Sequence, residues 1–223
     1  EKEENKYQDQ LIIYDQAIQN YERDKEILLA PEKVQEFREN LIRRELQVTI
    51  SPDGIDSIGA PGYCEPLFKR ELIKYFSAEK IKTKLTLTIP NYKYPYSPDF
   101  AYIDTSLGLH INIEIDEPYA FKTKEPTHYL YAEKDERRNI FFLSKGWIVI
   151  RFAEEQVARY PDSCCKLIAE IIHNFIENKA IISQFSNVVD LPVVIQWTED
   201  EAWEMAAKGD RDRYTAPCRN CSN

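Results

Sequence analysis

Three carboxylates lie close together in residues 96–116, YSPDFAYIDTSLGLHINIEID. Asp99 follows Pro98, and Glu114 and Asp116 are two positions apart. Leu109, Ile111, Ile113 and Ile115 alternate with polar residues, which is the period of a β-strand. The spacing predicts a strand over 109–116 with Leu109 and the isoleucines on one face. Glu114 and Asp116 then share the other face, roughly 6–7 Å apart. A short loop at Thr105, Ser106 and Gly108 joins this run to the apolar one that starts at Asp99. A hairpin of the two runs brings Asp99 beside the pair. Carboxylates gathered at the end of a hairpin repel one another, and a hard divalent cation such as Mg²⁺ resolves that repulsion through oxygen ligands. The competing reading is a solvated strand face. Asp and Glu are depleted in strands, which weighs against it, and spacing alone leaves both readings open.

The flanking elements must position these acids. Residues 1 to about 47 read as two helices divided at Ala30-Pro31, because the residue before proline is pushed out of the α region. Leu11, Tyr14, Ile18 and Tyr21 form an apolar stripe on the first, and Phe37, Leu41 and Arg44 continue the pattern on the second. This stripe suits a packing or connector element, with a dimerisation or docking arm as the functional alternative. Residues 48–62 are loop-like, with a turn at Ser51-Pro52-Asp53-Gly54. A short helix follows from Cys64 to Phe76, with Pro66 at its first position, Glu65 as N-cap, and Leu67, Phe68, Leu72, Ile73 and Phe76 facing the core. Its outer side is basic: Lys69, Arg70, Lys74, Lys80, Lys82, Lys84 and Lys93 face only Glu71 and Glu79 over residues 66–93. That excess is a solvated face or a phosphate-contacting surface. Residues 84–90 alternate as a strand, and 91–95 form a tyrosine-rich turn.

Beyond Asp116 a long loop, 117–128, lies at the mouth of the candidate site. A helix over 131–145, ended by Gly146, carries Asp135 and Arg138 on one face and points Phe141 and Phe142 inward. Residues 147–152 are nearly continuously apolar, as in a parallel strand buried on both faces, which makes the sheet mixed. Arg151 in that strand requires a carboxylate partner. In an amphipathic helix over 162–178, Cys164, Cys165, Ile168, Ile171, Ile172 and Phe175 share a stripe, so both cysteines read as core and His173 as surface. A short strand is expected at Val193–Trp197, and Thr198 with Glu201 forms a capping box. Cys218-x-x-Cys221 is half of a zinc site with no second half.

The 223 residues suit one domain with elaborations: a helical extension over 1–50, a core over 51–180 and a C-terminal strand/helix appendage over 181–223. The net charge of −9 excludes a generic polyanion binder and confines any nucleic-acid surface to a local basic patch. No apolar run spans a bilayer, so no membrane partner is expected. The charged N-terminus shows no signal peptide, and a chain beginning at Glu1 reads as a piece of a longer polypeptide. Five cysteines without a disulfide framework suit a reducing cytoplasm.

The order helix with Glu65, strand, strand with Asp99, strand with Glu114-x-Asp116, helix, buried strand resembles the PD-(D/E)xK nuclease superfamily. Pro98-Asp99 supplies its first motif and Glu114 its second. The match looks closer to small domains related to very-short-patch-repair endonucleases, where an E-x-D pair is followed by His, a helical D-x-x-R, a Gly-aromatic turn and an apolar strand ending in Arg-Phe. Here these are Glu114 and Asp116, His128, Asp135 and Arg138, Gly146-Trp147, and Ile148 to Phe152. The resemblance covers about residues 64–155 and implies an α/β, restriction-endonuclease-like core with a mixed central sheet flanked by helices. It implies Mg²⁺ or Mn²⁺ held by Asp99, Glu114 and Asp116 with Glu65 as a further contact, and phosphodiester hydrolysis of nucleic acid, DNA ahead of RNA. Arg138 would orient a carboxylate or stabilise the pentavalent phosphorus, and Arg151 would brace the acids. Lys69, Arg70, Lys74, Lys82 and Lys84 would contact the substrate backbone. By family analogy the setting is a defence-system effector joined to a sensor, with the N-terminal helices as the docking or homo-oligomer surface. Asp116 stands where the superfamily usually has Lys, so the base falls to Lys122, Lys124 or His128. Glu117-Pro118 stands where the branch usually has glycine. The alternative is a nuclease-fold binding or interaction module without cleavage.

Overall fold

The computed structural model describes residues 2–28, 30–55, 61–176 and 178–219. The chain divides into two compact units, Glu1–Glu45 and Leu46–Asn223. In the first unit, helix α1 (Lys2–Leu28) is followed by α2 (Pro31–Gln47), so proline opens the second helix as its fixed φ and missing N–H favour. The stripe of Leu11, Tyr14, Ile18 and Tyr21 is exposed.

The second unit runs β1 (Gly54–Ile55), α3 (Glu65–Phe76), β2 (Ile81–Lys82), β3 (Leu85–Thr86), β4 (Phe100–Asp104), β5 (Leu109–Asp116), α4 (Glu133–Ser144), β6 (Ile148–Ala153), α5 (Glu154–Arg159), α6 (Pro161–Ile176), α7 (Lys179–Ser183), α8 (Glu199–Lys208) and α9 (Asp210–Arg219). It is an α/β fold with a mixed four-stranded sheet in the order β2-β4-β5-β6. β4 and β5 form the expected antiparallel hairpin, with Phe100 opposite Ile113 and Asp104 opposite Leu109. β6 joins β5 in parallel after the α4 crossover, and Glu114 is level with Arg151.

Leu109, Ile111, Ile113 and Ile115 face one core with Phe68, Leu72 and Phe76 of α3 and Cys164, Cys165, Ile168 and Ile172 of α6. The opposite face is not solvated. His110, Asn112, Glu114 and Asp116 are all buried, and on that side Phe142 and Trp147 pack with Ala101, Leu85 and Leu87. Two glycines permit close approaches here: Gly108 turns the hairpin at φ +72° against the Leu46 backbone, and Gly146 leaves α4 at φ +77° against Thr49.

Several local expectations change. Residues 84–90 shrink to β3, which pairs with the unanticipated β1, and the edge strand β2 comes from Ile81–Lys82. Residues 193–197 form no strand, because their backbone meets no ladder partner. Cys64 is the N-cap of α3, so Glu65 is the first helical residue and Pro66 the second. β6 is an edge strand, half-buried along much of its length, rather than enclosed on both faces. α4 starts at Glu133, Phe175 is exposed and His173 half-buried. Cys64 is disulfide-bonded to Cys218, which corrects the reading that the cysteines form no bridge; Cys221 lies outside the described residues.

Residues past 180 pack into the same core, through Ile181, Phe185, Tyr214 and Cys218. Arg211 of α9 is 4 % exposed and grips Glu154 with two bonds of 2.7 Å. It also donates to the Tyr119 carbonyl at 2.7 Å. Arg211→Ala leaves Glu154 buried and uncompensated, and should cost roughly 3–5 kcal/mol in denaturant unfolding. The double change Arg211→Met with Glu154→Leu should cost less than the single one, because no charge is then stranded.

Candidate active site

Asp99 is positioned by Pro98 and by the first residue of β4: its Oδ2 accepts the Ile115 N–H at 2.8 Å. This bond locks the start of β4 to the far end of β5. Glu114 points from β5 toward α4, where Arg138 donates to its Oε1 from Nε at 3.0 Å and Nη2 at 2.7 Å. The same Nη2 donates to the Ser97 carbonyl, and the guanidinium carbon lies 5.1 Å from the Tyr96 ring centre. Arg138 therefore holds Glu114 and the segment leading into Asp99 at once. Glu65, in the first turn of α3, accepts the Gly62 N–H at 2.5 Å. A Cβ on Gly62 would meet Glu117 Oε1 at 3.1 Å and Glu65 Oε1 at 3.4 Å, so two carboxylates converge on this one backbone position.

The electrostatics record the crowding. Burial, with the charges of Glu117 and Glu114, pushes the Glu65 carboxyl up to about 7 against the opposing Gly62 N–H. Burial first, and Glu114 second, push Asp99 well above the usual carboxylate range. Glu117 is raised by burial and by Glu154, with Arg211 and His128 opposing. Glu114, although bonded to Arg138, contributes to raising both Glu65 and Asp99.

Asp116 belongs to a second network. It accepts from Arg151 Nε at 2.8 Å and Nη2 at 2.6 Å, and Arg151 also reaches Asp135 at 3.0 Å and Asn139 at 3.1 Å. The expected carboxylate partner of Arg151 is thus a pair, Asp116 and Asp135. His128, held at φ +52°, donates from Nδ1 to Asp135 at 3.0 Å, and its Nε2 lies 3.9 Å from Glu117. Burial alone would lower the pKa of His128, but the Asp135 bond and the charges of Asp116 and Asp135 carry it above the ordinary value.

The structure thus brings together Asp99, Glu114 and Glu65, adds Glu117, and places His128 at their edge with Asp135 behind it. It gives Asp116 to Arg151 instead. Among the described residues no three His, Cys, Asp or Glu side chains are gathered tightly enough to enclose a metal ion as they stand. Of the basic residues, Lys69 and Lys84 line a cavity of about 390 Å³ with Glu65, Pro98 and Asp99. Lys74 is taken by Glu71 at 2.8 Å and Asp162 at 3.1 Å, away from that cavity. Lys82 is exposed on the edge strand and Arg70 is exposed on α3. Lys124 lies over the Tyr119 and Phe121 rings, and Lys122 is exposed, so His128 is the one loop candidate whose contacts reach the carboxylates. Glu117 was legible as a third acid in Glu114-x-Asp116-Glu117; Arg211, 94 residues later, carried no such signal.

The Glu65 carboxyl ionises near 4.5 when unfolded and at about 7 when folded. Between those values the folded state holds the extra proton, so stability falls as pH rises through that window. Glu65→Gln removes the effect while keeping an acceptor for Gly62. Its melting temperature should match wild type at about pH 5 and exceed it at about pH 8, and equal values at the higher pH would show the carboxylate to be fully compensated. No protein-family model, curated protein or solved structure matches the chain.

Proposed function

We propose that this chain is a metal-dependent nuclease with a restriction-endonuclease-like, PD-(D/E)xK core, hydrolysing phosphodiester bonds. The observation that carries the reading is the group of Glu65, Asp99, Glu114 and Glu117 at the end of the β4–β5 hairpin, three of them with raised pKa. An all-oxygen, mutually repelling donor set fits a hard divalent cation. Asp99 and Glu114 would hold Mg²⁺ or Mn²⁺, with Glu65 and Glu117 beside them. The cation, when bound, supplies positive charge that polarises the scissile phosphate and acidifies water.

The protein's own groups do the rest. Arg138 fixes Glu114 relative to Asp99 through its shared bonds to Glu114 and Ser97. Asp135 fixes the imidazole of His128 with Nε2 on the side of Glu117, and the Asp135 bond with the charges of Asp116 and Asp135 raises its pKa, which favours the protonated ring. That suits a general acid for the leaving oxygen. Arg151 keeps Asp116 and Asp135 neutralised, so the charge behind His128 is fixed. A second reading, a binding module without cleavage, is favoured by one observation: Asp116, at the position of the superfamily's Lys, is locked to Arg151 and offers no base.

Supercoiled plasmid, single-stranded DNA and RNA incubated with Mn²⁺, Mg²⁺ or EDTA distinguish the two. Metal-dependent cutting, abolished by Asp99→Ala and by Glu114→Ala, is expected. His128→Ala should slow it by roughly 10²–10⁴-fold. Absence of cutting on every substrate, together with no calorimetric Mn²⁺ binding, would leave the binding module.

A further inference from the structure

Leu87 and Tyr96 exchange two backbone bonds, 2.8 and 2.9 Å, and so close the stem of a small hairpin over residues 87–96. The stem is anchored: Leu87 is 3 % exposed, and the half-buried Tyr96 has its ring 5.1 Å from that of Phe141. The tip is the opposite. Tyr92 and Tyr94 are 64 % and 61 % exposed, with ring centres 6.4 Å apart at 71°. Lys93 Nζ lies 5.1 Å from the Tyr94 ring centre. Asn91 takes the left-handed conformation, φ +61°, that lets this turn close. These two rings add nothing to the core, and side by side with a lysine at one tip they form a small aromatic and basic surface open to a partner.

The foot of the hairpin is the candidate site. Thr83 and Lys84 precede one arm, Ser97, Pro98 and Asp99 follow the other, and all line the 390 Å³ cavity together with Lys69. Tyr94 is three residues from Ser97, a reach of roughly 10 Å in extended chain. The cavity has the volume of a small-ligand site. In a duplex both faces of each base are already stacked. Only an unpaired strand can offer a base face to an exposed tyrosine without first being unstacked.

We infer that the tip of this hairpin is a stacking platform for single-stranded nucleic acid, leading an unpaired strand into the cavity beside Asp99. The inference rests on the nuclease reading for what happens in that cavity, but not for the binding itself. Tyr92 and Tyr94 stack bases; Lys93, Lys84 and Lys69 take the phosphates. Stacking tolerates any base, so little sequence preference is expected.

The test is fluorescence anisotropy in EDTA, where a metal-dependent activity is silent, with labelled oligothymidylate, oligouridylate and a duplex of the same length. Single strands should bind at least about tenfold more tightly than duplex, and Tyr92→Ala with Tyr94→Ala should weaken them by about tenfold or more. Tyr92→Phe with Tyr94→Phe should restore binding, because the ring face and not the hydroxyl makes the contact. Both positions are exposed, so the melting temperature should not change in either variant. Duplex bound as tightly as single strand, no binding of either, or binding indifferent to the alanine pair would overturn the platform. The DNA and RNA arms tell which strand it prefers. Cutting in Mn²⁺ with no effect of the tyrosines would sink the platform and leave the nuclease. Tyrosine-dependent binding with no cutting and no calorimetric Mn²⁺ binding would support the platform and sink the nuclease.

Discussion

Burying β5 on both faces is the constraint from which the rest of this unit follows. One face needs only apolar neighbours, and Leu109, Ile111, Ile113 and Ile115 find them in α3 and α6. The other face carries His110, Asn112, Glu114 and Asp116 into the interior, where a charge without a partner is costly. Each acid is therefore met by an arginine from the next elements in the chain. Glu114 is met by Arg138 from α4, and Asp116 by Arg151 from β6. In the parallel β5–β6 register Glu114 is level with Arg151 and Asp116 with Ala153; Arg138 takes Glu114, and Arg151 reaches diagonally to Asp116. Asn112 is the exception: neither its amide oxygen nor its nitrogen has a protein partner among the described residues.

Those pairings divide the acids into two groups with different electrostatic character. Around Arg151, positive and negative charges alternate, and Asp135 is held below the ordinary range once His128 and Arg151 outweigh its burial. At the hairpin end burial first, and neighbouring carboxylates second, raise the pKa values of Glu65, Asp99 and Glu117. His128 stands between the groups, bonded to Asp135 of the first and 3.9 Å from Glu117 of the second. An imidazole whose pKa is raised by Asp135 and Asp116, set at that boundary, is the kind of group that the proposed hydrolysis would use.

The C-terminal helices act on this arrangement from behind. α9 reaches α3 through the Cys64–Cys218 disulfide, one residue before Glu65. It reaches the segment after β5 through Arg211, which binds the Tyr119 carbonyl and lies 3.8 Å from Glu117. The two acids that converge on Gly62 are thus each tied to the same distant helix. The site draws on much of the second unit: its acids come from α3, the residue before β4, β5 and the following loop, and their braces from α4, β6 and α9.

The alternation over 109–116 by itself determined β5, because a two-residue period has one structural meaning, and Thr105 to Gly108 determined that β4 folds back on it. Gly146 and the apolar run after it were enough for the end of α4 and for a parallel β6, and Thr198 with Glu201 for the start of α8. These are local signals, carried by neighbours along the chain. Partnership was not local. Whether the polar face of β5 met water depended on α4 and Trp147 covering it, and whether Asp116 joined Asp99 or Arg151 depended on Arg138 of α4 taking Glu114. The short strands β1 and β2 exist because partners at Thr86 and Tyr102 supply their ladders, not because their own residues insist on it. Only the tertiary structure decided that Cys218 meets Cys64 across 154 residues and that Arg211 meets Glu154, since contacts between distant segments form where packing brings them and leave no period in the sequence.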